Sequence, residues 1–128
     1  MNWVVDLTPA ARRDIDTILR ASTAGFGPQA RERYAALVAM ALADLRQDPR
    51  CLGSVARPEL LTGTWTYHLR HCRRRLAVGG LRVGAPRHLI AYRIKADNVV
   101  VVLRVLHDAM ELAARLGGDE AGIVGGDG

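Results

Sequence analysis

The sequence predicts an α+β domain. An N-terminal strand and a two-helix hairpin pack on an antiparallel sheet of about four strands, and a short C-terminal helix follows. Three observations predict this. The segments HLIAYRIK (88–95) and VVVVLRVLH (99–107) are apolar, rich in β-branched residues and separated by a turn. Two earlier stretches each start on proline and then repeat apolar residues at helical spacing. The chain has 128 residues, enough for one domain with its own core.

Residues 3–7, WVVDL, read as the first strand, with Asp6 breaking the apolar run. Thr8-Pro9 then opens a helix, because threonine caps free amides and proline suits the first helical position. Ala11, Ile15, Ile18, Leu19 and Ser22 share one face of it. Gly25-Phe26-Gly27 ends this helix and Pro28 starts the next. Tyr34, Leu37, Val38, Ala41, Leu42 and Leu45 form the second apolar stripe, which stops at Asp48-Pro49. Residues 49–64 read as a loop. WTYHLRHC (65–72) reads as a strand, and RRRLAVGGLRVGAPR (73–87) as its continuation followed by a turn or long loop. Strands 88–95 and 99–107 follow, then a short helix over DAMELAARL (108–116). The domain is expected to span residues 1–116. The glycine-rich acidic tail, 117–128, is expected to be disordered.

Composition narrows the function classes. No run approaches a membrane span, and the opening MNWVVDL lacks the basic-then-apolar layout of a signal peptide. A cytoplasmic protein is expected, and the two cysteines, Cys51 and Cys72, are read as free thiols. His68, His71, Cys72, His88 and His107 match no metal-binding spacing, so neither a metal nor a cofactor is expected. The net charge of +5 is unevenly spread. Residues 57–95 hold nine basic groups against one acid, whereas 96–128 hold two against six. So local a basic block, with Arg73, Arg74 and Arg75 at its centre, suggests an anionic partner; a merely solvated surface is the alternative.

The last hairpin refines this. If Asp97-Asn98 is a two-residue turn, Ile94, Tyr92, Ile90 and His88 oppose Val101, Leu103, Val105 and His107 on an apolar core face. Lys95, Arg93, Ala91 and Leu89 then oppose Val100, Val102, Arg104 and Leu106 on the other. A one-residue slip would bury Arg104 unpaired, at a cost of several kcal/mol. This register puts Arg93, Lys95 and Arg104 on an open face among Leu89, Val102 and Leu106. Such a face suits a peptide carrying both acids and apolar anchors. Alternatively, Arg104 only reaches over the sheet to Asp108 or Glu111. His88 and His107 are read as a structural pair closing the core.

Three stretches carry a resemblance: VVDLTPAARRDIDTIL, FGPQARERYAAL and HLIAYRIKADNVVVVLRVLHDAMEL. They resemble a ParE toxin, the gyrase-directed branch of the RelE/ParE superfamily of type II toxin–antitoxin systems, over about residues 3–116. The segment HLRHCRRRLAVGGLRVGAPR departs from that pattern, being longer and more basic. The resemblance implies a RelE/ParE-like fold and a toxin that traps DNA gyrase in a cleavage complex without a catalytic residue of its own. It implies a ParD-like antitoxin partner with a disordered arm, and no sequence-specific DNA binding by the toxin itself. The antitoxin or target surface is placed on Arg73, Arg74, Arg75, Leu89, Arg93, Lys95, Val102, Arg104 and Leu106. The first rival is a RelE-like ribosome-dependent mRNA endonuclease, in which Arg93 and Arg104 would steady the phosphate and His107 would move a proton. DAMELAARL lacks the tyrosine that ribonuclease members commonly place there. The second rival is a non-toxic relative that only binds an antitoxin.

Overall fold

A computed structural model describes residues 2–107. The expected helix over 108–116 and the tail lie outside the described residues. The elements are β1 (Val4–Leu7), α1 (Pro9–Phe26), α2 (Pro28–Gln47), β2 (Val55–Ala56), β3 (Thr64–His68), α3 (Arg70–Val78), β4 (His88–Lys95) and β5 (Val99–His107). The sheet order is β1-β5-β4-β3-β2. Strands β2 to β5 pair antiparallel, and β1 runs parallel to β5. The architecture is the expected α+β one, with a mixed sheet of five strands. The parallel edge is reachable because the long helical hairpin carries the chain away from β1 before the sheet is completed.

The helical hairpin forms where proline and glycine direct it. The Thr8 side chain accepts the Ala11 amide at 3.0 Å, and Pro9 occupies the first turn. Gly27, at φ 92°, ends α1 and leads into Pro28 of α2. Ala11, Leu37, Val38, Ala41 and Leu45 pack on Ile90, Tyr92, Val100, Val102 and Val105 in the main core. Among the described residues no helix is long and apolar enough to cross a membrane.

Two expectations are corrected. The stretch after His68 does not continue as a strand; Arg70–Val78 forms a helix. Cys72 and Leu76 lie one turn apart and both are buried, so the basic segment is amphipathic. The segment 49–64 is not all loop, because Val55–Ala56 adds a short strand beside β3.

The hairpin register is also corrected. The turn takes three residues, Ala96, Asp97 and Asn98, so Lys95 rather than Ala96 opposes Val99. Asp97 and Asn98 do take positive φ, 62° and 59°. Near the turn, pairing is therefore one residue off the expected register. A bulge at Leu103 restores it, and Ala91, Ile90, Leu89 and His88 oppose Arg104, Val105, Leu106 and His107 as expected. The Thr8 hydroxyl donates to the Leu103 carbonyl at 2.8 Å, which satisfies the backbone at the bulge.

Candidate functional site

The bulge redistributes the face on which the sequence places a partner. Val102, expected as an open anchor, opposes Tyr92 and is fully buried in the main core, as is Val100. Half-buried Val101 and Val99 stand opposite Arg93 and Lys95 instead. Arg93 and Lys95 are exposed as expected. Leu89 and Leu106 do lie on that face, but they are buried with Ala91 in a second small core that Leu60 packs against. They are packing residues in this structure, not free anchors.

Arg104 keeps the expected face but is not open. Its Nε donates to Asp14 Oδ2 at 2.7 Å and its Nη2 to Oδ1 at 2.9 Å. The Val105 amide donates to the same carboxylate at 3.0 Å. Beyond Val102 the outer edge of β5 is no longer paired with β1, so Asp14 of α1 serves that edge. The arrangement ties helix to strand.

The basic block divides in two. Arg73, Arg74 and Arg75 are all exposed on α3, but Arg75 is tied to Asp44 of α2. Its guanidinium donates to Asp44 Oδ1 at 3.0 Å and to Oδ2 at 2.5 Å. Tyr67 also donates to Asp44, at 2.7 Å, and the Cys72 thiol does so at 3.3 Å. Burial alone would push the Asp44 carboxyl up; the bonds from Arg75, Tyr67 and Cys72 outweigh it and hold the group below its ordinary value. Burial, then the bond to Asp44, pushes the Cys72 thiol up to about 11. It is therefore protonated at neutral pH and a poor nucleophile. This network fastens α3 to α2 and β3.

The ribonuclease set is dispersed. Arg93 and Arg104 stand on one face of the sheet, and His107 faces the other beside His88. The two rings meet edge-on with centroids 5.3 Å apart, the pair expected from the sequence. The Tyr34 hydroxyl lies 2.6 Å from His88 Nδ1. Burial raises Tyr34 to about 12, partly offset by the Arg87 backbone, so its hydroxyl stays neutral. Tyr92 is buried, and its hydroxyl donates to the Pro49 carbonyl at 2.5 Å. Among the described residues no group of three or more His, Cys, Asp or Glu is placed to hold a metal ion.

Sequence reasoning missed a cavity of about 510 Å³ at the turn end of the helical hairpin, beside Gly27. Its walls come from α1, α2, the loop after α3 and the ends of β4 and β5. His88 and His107 are among its lining residues. It brings together residues from five parts of the chain, and no local pattern announces that.

The profile of the ParE toxin of the type II toxin–antitoxin system parDE matches residues 5–112. The chain belongs to this family of type II toxins. No curated protein sequence is a significant match. Among solved structures, the chromosomal ParDE system from P. aeruginosa is similar with a TM-score of 0.59 at 18% identity, covering 84% of this chain and 97% of that one. A mutant of the E. coli toxin RelE in the free state gives 0.56 at 14% identity, covering 94% and 98%. The toxin–antitoxin complex RelBE2 from Mycobacterium tuberculosis gives 0.49 at 28% identity, covering 84% and 100%. The two neighbours with TM-scores above 0.5 share the fold.

Proposed function

We propose that this chain is a cytoplasmic toxin that acts on DNA gyrase and is neutralised by a ParD-like antitoxin. The ParE family match over residues 5–112 carries the reading. The geometry supports it, because the cations and proton carrier that RNA cleavage would draw from the last hairpin, Arg93, Arg104 and His107, are split between two faces of the sheet. Arg104 is moreover held by Asp14. A protein that acts by contact, trapping another enzyme's intermediate, needs no such cluster. The exposed cations Arg73, Arg74, Arg93 and Lys95 remain its candidate contacts.

One observation favours the ribonuclease reading. The cavity sets Tyr34, His88 and His107 beside Arg82 and Arg87, so proton carriers and cations do meet there.

Induced expression separates the two. The gyrase reading expects growth arrest, a DNA-damage response and intact bulk mRNA. With purified gyrase it expects loss of supercoiling and accumulation of cleaved DNA. Rapid cleavage of translated messages with undamaged DNA would overturn it in favour of the ribonuclease.

A further inference from the structure

Helix α3 has two unlike faces. Cys72 and Leu76 are buried on the inner one, and Arg75 is tied to Asp44 of α2. Arg70, Arg73 and Arg74 are exposed, and their spacing of i, i+3 and i+4 puts them together on the outer face. None of these three guanidiniums has an ion-pair partner among the described residues. From Arg70 to Lys95 the chain holds eight cations and no acid, so no neighbour in sequence neutralises them. The helix is thus fastened from beneath while three cations share its free face, about 5–6 Å apart. It lies in the segment that departs from the ParE pattern, so the resemblance assigns it no role.

We infer that the outer face of α3 docks on the phosphate backbone of duplex DNA, through Arg70, Arg73 and Arg74 and without reading sequence. Charge complementarity selects a polyanion, and duplex DNA offers one negative charge per about 1.7 Å of its axis. No apolar side chain is interleaved with the three arginines, so a peptide has nothing to seat an anchor against. Val78, the exposed apolar residue of the helix, stands at its last position. A single strand is disfavoured by the lack of a stacking platform. His71 is already stacked on Tyr67, and the exposed aromatic among the described residues, Phe26, is on α1 at the hairpin turn. The choice of DNA over duplex RNA rests on the gyrase reading above, because a toxin that traps gyrase in a cleavage complex has a DNA duplex beside it. On this reading α3 meets the nucleic acid, and the contact with the enzyme is left to other surfaces.

The test is the fluorescence anisotropy of a labelled mixed-sequence DNA duplex of about 20 base pairs, titrated with the full chain at several salt concentrations. The unaltered chain should bind at micromolar concentration in about 50 mM salt, with no preference among sequences. Arg70→Gln, Arg73→Gln and Arg74→Gln together should weaken binding about tenfold or more and reduce the salt slope by about 2–3. Lysine at the same three positions should restore it, because a phosphate contact needs the point charge. Arg12→Gln, Arg13→Gln and Arg31→Gln together remove the same charge from the helical hairpin. They should weaken binding by about twofold at most, since distant charges are screened. No duplex binding, an equal loss in the hairpin variant, or a glutamine variant that binds undiminished overturns the α3 site. So does tighter binding of a single strand, of duplex RNA or of a polyglutamate peptide. Gyrase inhibition is read separately, by plasmid supercoiling with the purified enzyme. Inhibition by a chain that binds no duplex sinks only the α3 site, and duplex binding without inhibition sinks only the gyrase reading.

Discussion

Asp14 on α1 and Arg104 on β5, ninety residues apart, form a two-pronged ion pair in which each side chain is about five-sixths buried. Asp14 also accepts the Val105 amide, so one carboxylate closes both a guanidinium and a strand edge. Removing either partner breaks this pair in a largely buried setting. Arg104→Ala should cost about 2–3 kcal/mol in denaturant unfolding, and Asp14→Ala at least as much, because the amide is orphaned too. The double variant should be clearly less destabilised than the sum of the singles. Strict additivity, or a loss below about half a kcal/mol for Arg104→Ala, would show that the pair does not hold the helix to the sheet.

Asp14 also shows what was legible in the sequence and what was not. The helical hairpin, its caps and the paired end of the last hairpin follow from local pattern, since proline, glycine and apolar spacing act within a few residues. The bulge at Leu103 does not, because it depends on Thr8 reaching β5 from far away in the chain. Helix α3 was hidden by its arginines, although Cys72 and Leu76 keep helical spacing. The expected anchor Val102 was lost with the register, since a one-residue shift moved it from the surface to the core. A usable signal was present in the acids. Asp14 follows Ala11 by three positions, and Asp44 follows Ala41 by three, so each falls at the margin of an apolar stripe. An acid there asks for a cationic partner, and the structure supplies Arg104 and Arg75.

The Asp44 network should make stability acid-sensitive. Its folded pKa lies below the ordinary carboxylate value, because the bonds from Arg75, Tyr67 and Cys72 overcome the opposing effect of burial. The stabilisation is therefore present above the unfolded value near 4 and is lost as pH falls through the folded value. Asp44→Asn should destabilise the chain at pH 7, and the gap to the unaltered chain should shrink below about pH 4. Urea titrations at pH 7 and pH 3 measure this. A gap of equal size at both would mean that the charge on Asp44 contributes nothing.

His68 should act in a higher window. Its Nδ1 accepts the Arg70 amide at 3.1 Å where α3 begins. Burial, then the charges of Arg70, His71 and His88, lowers its pKa to about 4. The neutral ring is thus the folded form, and its contribution is lost as pH falls from about 6.5 towards 4. His68→Asn offers an acceptor for the same amide without titrating. The variant should show a flatter stability profile between those pH values, with near-unaltered stability at pH 7.5. A profile parallel to that of the unaltered chain would assign the acid loss to other histidines.

Arg93 and Leu106 sit on the same face of the sheet but should separate function from packing. Arg93 is exposed, so Arg93→Ala together with Lys95→Ala should change unfolding stability by no more than about half a kcal/mol. Leu106 is 2% exposed and packs with Leu89 and Ala91. Leu106→Ala should therefore cost about 2–4 kcal/mol through the cavity it leaves. If the exposed cations contact the target, the arginine and lysine variant should lose growth arrest while remaining folded. Leu106→Ala should lose arrest only in proportion to its unfolded fraction, and growth at lower temperature should restore it. Thermal melts paired with induced-growth curves read both quantities on the same proteins. Full arrest by the Arg93 and Lys95 variant would remove this face from the target contact and leave Arg73 and Arg74 on α3 as the exposed cations to test next.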